Sequence, residues 1–67
     1  MTDRETYLMR AAEARSDAEA ALLDNVRQRC LRSEAAWTEM AARAERTEAM
    51  RRTLEAAKAA ASQVEDA

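Results

Sequence analysis

The chain has 67 residues, a net charge of −2, and 36% charged side chains with acids and bases interleaved along its length. That length makes one small domain, below the size at which a single core comfortably sustains a fold. The near-neutral charge argues against a large electrostatic footprint for nucleic acid or an anionic membrane. No apolar run approaches the ~20 residues of a membrane span, and the opening MTDRETYLMR lacks the apolar core of a signal peptide. One Cys precludes an internal disulfide and fits a reducing, cytoplasmic setting.

The hydrophobic fraction of 48% shrinks when itemised, because 18 of those residues are Ala. The larger apolar side chains are five Leu, four Met, two Val, one Trp and one Tyr, with no Ile or Phe. At roughly 25 cal/mol per Å² of buried apolar surface, this is a thin core for a monomer, and self-association or a partner is the expected remedy. Gly and Pro are absent, the strong helix formers Ala, Glu, Arg, Leu and Met dominate, and no stretch alternates with period two. The expected fold class is therefore all-α. Abundant Ala and a high Arg-to-Lys ratio associate with GC-rich bacterial genomes.

The first element opens on a capping box, Thr2 with Glu5, and Asp3 adds charge favourable to the helix dipole. Helix one is expected over about residues 3–22, with a stripe of Tyr7, Leu8, Ala11, Ala14, Ala18, Ala21 and Leu22. Its small middle invites close approach of a bulkier helix.

The plausible break is Leu22-Leu23-Asp24-Asn25-Val26, because Asp and Asn side chains compete for backbone hydrogen bonds. Asn25 followed by Gln28, or Asp24 by itself, suits a helix N-cap. A turn at about 23–25 produces an antiparallel hairpin. The alternative is one unbroken helix over residues 3–64, ~90 Å long at 1.5 Å per residue, held in a coiled coil.

Helix two is expected over about residues 25–64. Its stripe is Val26, Cys30, Ser33, Trp37, Met40 and Ala44, at spacings of three and four that place them on one helix face. Trp37 is the largest apolar group in the chain, and packing is expected to form around it. The expected hairpin core is Tyr7, Leu8, Leu22, Val26, Cys30, Trp37 and Met40. Folding back antiparallel sets Tyr7 near Ala41 and leaves helix two without an intramolecular neighbour beyond roughly Glu45. That overhang continues the heptad pattern: Met40, Thr47, Leu54 and Ala61 on one row, Met50, Ala57 and Val64 on a second. Met50, Leu54, Ala57, Ala61 and Val64 form the expected association seam. Glu39 with Arg43, Glu48 with Arg52, and Glu55 with Lys58 are spaced to support helicity by a few tenths of a kcal/mol each.

Residues that carry chemistry are scarce. No His and one Cys provide no zinc ligand set of the usual kind. No Gly means no phosphate-cradling loop, and Ser16, Ser33 and Ser62 have no histidine base. The expectation is a non-enzyme without cofactor or metal. Cys30 lies on the packing stripe and reads as a small buried hydrophobe. Arg27, Arg29 and Arg32 form a basic run, yet residues 24–67 carry eight bases and eight acids and no aromatic interleaves with the arginines.

Tyr7, Arg10-Ala11, Glu13, Ala18, Ala21, Val26-Arg27, Cys30-Leu31, Trp37 and Met40-Ala41 form a pattern that resembles short alphaproteobacterial Ala/Arg-rich helical-hairpin proteins. The resemblance covers Tyr7–Ala44, with Cys30 where His is common and Trp37 where Tyr is common. It implies a helical hairpin and carries no established activity. The reading that follows is a helical protein–protein interaction or self-assembly module, a homodimer with a four-helix arrangement. The alternatives are a small adaptor docking its C-terminal helix on another protein and, third, nucleic-acid binding through Arg27, Arg29 and Arg32.

Overall fold

The computed structural model describes residues 1–66, with side chains described through Gln63. It is all-α: helix α1 spans Asp3–Ala20, helix α2 spans Asp24–Asp66, and the two pack as an antiparallel hairpin.

The start of α1 follows from its first residues. Thr2 is extended at φ −81°, ψ 164°, and its hydroxyl accepts from the Glu5 N–H at 3.2 Å. The Glu5 carboxylate accepts in return from the Thr2 N–H at 3.2 Å, completing the expected capping box.

α1 ends earlier than the stripe suggests. Ala21 swings to φ −70°, ψ 129°, and its N–H reaches back to the Ala18 carbonyl at 3.3 Å. The single continuous helix is thereby excluded. Nor does Asp24 or Asn25 cap the second helix. The Leu23 carbonyl accepts from the Arg27 N–H at 3.1 Å, so α2 starts at Asp24. With no Gly in the chain and no positive-φ residue among those described, the reversal is built from extended backbone at Ala21. Asp24 then serves the first turn of α2, where its charge suits the helix dipole and its carboxylate accepts from Arg27 Nη1 at 3.1 Å.

Among the described residues the buried core is alanine: Ala11, Ala14, Ala18 and Ala41. Around them the partly buried positions are Arg4, Thr6 and Tyr7 on α1, Ala21 just past its end, and Val26, Cys30, Leu31, Ser33, Glu34, Trp37, Met40, Ala42, Ala44 and Glu48 on α2. The α2 stripe expected from spacing is partly buried throughout, while the fully buried residue described on α2 is Ala41, one position off it. Small residues allow the backbones to approach, and the one aromatic pair sits at the edge of the alanine seam.

The hairpin is asymmetric. α2 has 43 residues against 18 in α1, and at 1.5 Å per residue it is ~64 Å long, close to the 67 Å long axis of the molecule. The radius of gyration is 18.9 Å, against ~11 Å for a compact chain of this length. The molecule is a rod with a hairpin at one end and a single helix at the other.

Candidate association surface

The seven expected hairpin-core residues divide. Tyr7, Val26, Cys30, Trp37 and Met40 are half-buried on the contact face. Leu8 and Leu22 are not core residues: Leu8 is 51% exposed and Leu22 97% exposed. The seam on α1 runs through Tyr7, Ala11, Ala14 and Ala18, and Leu8 lies one residue, about 100° of helix rotation, off that line. Leu22 falls beyond the helix end and stands out from the connection with Leu23.

Tyr7 and Trp37 stack across the hairpin with ring centroids 5.9 Å apart and planes 27° from parallel. Two ion pairs bracket them along the contact. Arg15 Nη1 lies 3.6 Å from Glu34 towards the turn, and Arg4 Nε lies 3.6 Å from Glu48 towards the open end. The Arg4 pair is coulombic only, since Nε is shielded from solvent without a hydrogen-bond partner. Arg15 also donates to Glu19 at 3.2 Å, and this hydrogen bond, with the charge of Glu34 and Glu19, holds its guanidinium above the ordinary Arg pKa. Tyr7 also lines a groove together with Met40 and Ala44. The Arg4 pair extends the contact to Glu48, a turn beyond the point where an overhang was expected to start.

Helical charge pairs differ from expectation in their partners. Glu39 sits 3.7 Å from Arg46 and Glu48 faces Arg4, where Arg43 and Arg52 were expected. The tertiary contact recruits Glu48 across the hairpin, a choice that spacing along one helix does not contain.

Two shallow grooves open on one flank of the hairpin, either side of the aromatic pair. The larger, about 500 Å³, is lined by Tyr7, Met40, Arg43, Ala44 and Thr47 among others; the smaller, about 400 Å³, by Arg10, Glu13, Ala14, Asp17, Ser33 and Trp37. The smaller brings Glu13 and Asp17 beside Ser33, and among the described residues no cluster of His, Cys, Asp or Glu is arranged to hold a metal. Nor is any helix there long and apolar enough to cross a membrane. Cys30 is a free, half-buried thiol on the contact face. In the basic run, Arg27 is occupied by Asp24, while Arg29 and Arg32 are exposed.

Beyond Glu48 every described side chain of α2 is exposed, through Gln63. The expected seam residues Met50, Leu54, Ala57 and Ala61 all lie in this stretch, with Met50 66% and Leu54 63% exposed. The fifth, Val64, lies outside the described side chains. No protein-family model matches the chain, and neither a curated protein nor a solved structure matches it.

Proposed function

We propose that the protein is a non-enzymatic helical association module that works as a homodimer. The observation that carries this reading is the overhang: α2 continues past Glu48 with a heptad-spaced apolar row and nothing against it. An isolated helix of this length is only marginally stable in water, and a second helix along Met50 and Leu54 removes that apolar surface from solvent.

The alanine core supports the same reading. Among the described residues no large side chain is fully buried, so the hairpin's own apolar burial is small. The chain exposes 5491 Å², against roughly 4200 Å² for a compact monomer of 7.5 kDa. The surplus exceeds the ~800 Å² per partner of a standard stable interface.

Sedimentation equilibrium over a range of protein concentrations tests the proposal. The expected mass is twice 7.5 kDa, dissociating on dilution. A mass of one chain at every concentration overturns it.

A further inference from the structure

We infer that the two protomers pair antiparallel along the whole of α2, so that each overhang fills the grooves on its partner's hairpin. The inference rests on the homodimer proposed above and adds the occupant, the direction and the register.

The first observation is that the overhang's apolar row does not begin at the overhang. Residues seven apart from Val26 onward are Ser33, Met40, Thr47, Leu54 and Ala61, and those seven apart from Arg29 are Ala36, Arg43, Met50 and Ala57. Together these rows form the a and d positions of one coiled-coil seam running the length of α2. In the hairpin half, this seam opens on the grooved flank. Met40, Arg43 and Thr47 line the larger groove, and Ser33 lines the smaller. α1 meets the adjacent face through Cys30, Trp37 and Ala44. A second helix laid on the seam therefore nestles between α1 and α2, which produces a triangular three-helix cross-section.

The second observation is length. The stretch 49–66 matches α1 in extent, 18 residues, so an overhang from an antiparallel partner covers one hairpin end to end. The two-fold axis then passes at Glu45, the middle of α2.

The third observation is complementarity at that register. In antiparallel pairing about Glu45, a positions meet d positions. Met40 meets the partner's Met50, Leu54 meets the partner's Ala36, and Ser33 meets the partner's Ala57. The two arginines on the seam, Arg43 and Arg29, meet the partner's Thr47 and the partner's Ala61, small enough to leave room for their aliphatic stems. Leu54 of each protomer thus enters the smaller groove beside Trp37. A flanking charge pair also opposes: Asp17, which lines the smaller groove, faces the partner's Lys58. Because the interface is isologous, each contact is made twice. A parallel pairing instead sets Arg29 against the partner's Arg29, Arg43 against the partner's Arg43, and leaves both sets of grooves open.

Disulfide trapping tests direction and register together. Met40→Cys and Met50→Cys are made separately in a Cys30→Ser background, and each is oxidised alone and as an equimolar mixture at a concentration where the parent sediments as a dimer. The expected result is little covalent dimer from either variant alone and a mixed disulfide, Cys at 40 to Cys at 50, as the dominant product of the mixture. Efficient cross-linking of either variant by itself overturns the antiparallel arrangement, as does a dimeric mixture that forms no mixed disulfide. In both cases the homodimer itself stands. A parent that sediments as a monomer overturns the homodimer and this arrangement with it.

Discussion

Tyr7 stacks on Trp37 with ring centroids 5.9 Å apart, and these are the only two aromatic residues the chain possesses. Their pairing sets the axial register of a hairpin whose buried seam is otherwise alanine, a side chain too small to resist sliding. Both rings remain half-exposed, so the pair acts as a clamp at the edge of the seam.

Replacing Trp37 with Ala removes the largest contact between the helices. The expected loss is about 3 kcal/mol, the lower end for aromatic truncation because the ring is only half-buried. Urea denaturation at fixed protomer concentration, followed by circular dichroism, measures it, since the stability of the proposed dimer depends on concentration. An unchanged midpoint contradicts the clamp.

Ala18 is only 3% exposed and lies where the two backbones approach. Ala18→Leu is expected to destabilise by about 1–3 kcal/mol, as for overpacking a tight core, even though it raises hydrophobicity and keeps helix propensity high. A variant more stable than the parent shows that the seam has slack.

Thr2 and Glu5 satisfy each other's backbone donors at the start of α1. Thr2→Ala is expected to cost about 1 kcal/mol, typical for loss of an N-cap, with faster amide exchange confined to the first turn of α1. Exchange measured residue by residue by NMR separates this from a global effect, and uniform acceleration contradicts a local cap.

Leu22 supplies a control. At 97% exposure it contributes no packing to the hairpin, and Leu22→Ser is expected to shift stability by less than about 0.5 kcal/mol. A larger loss in the melting experiment means that the hairpin tip is covered in the assembled protein.

Leu54→Glu places a charge on the exposed row of the overhang. For the proposed dimer the expected outcome is a halved mass in sedimentation with the Tyr7–Trp37 near-ultraviolet dichroism retained. The substitution lies beyond every contact within the hairpin, so loss of the aromatic signal without loss of mass reverses the assignment of roles.

Much of the architecture was legible in the residues themselves. Absence of Gly and Pro with an excess of Ala, Glu and Arg makes helix the only economical backbone. The spacing from Val26 to Ala44 picked out partly buried positions of α2 but missed buried Ala41, and Thr2 with Glu5 identified where α1 starts. These are local matters, decided by φ/ψ preference and the 3.6-residue period. Only tertiary structure decided which residues that period leaves outside. Leu8 and Leu22 looked like core because they are leucines near the stripe, but a seam of alanines admits a narrow line of contact, and a residue 100° off it or past the helix end finds no neighbour. The reversal moved for a related reason: the chain turned through extended backbone at Ala21, with no described residue at positive φ, which released Asp24 into the first turn of α2. The ion partners of Arg4 and Arg15 followed from the register of two helices, a relation between distant residues that no spacing along either one records.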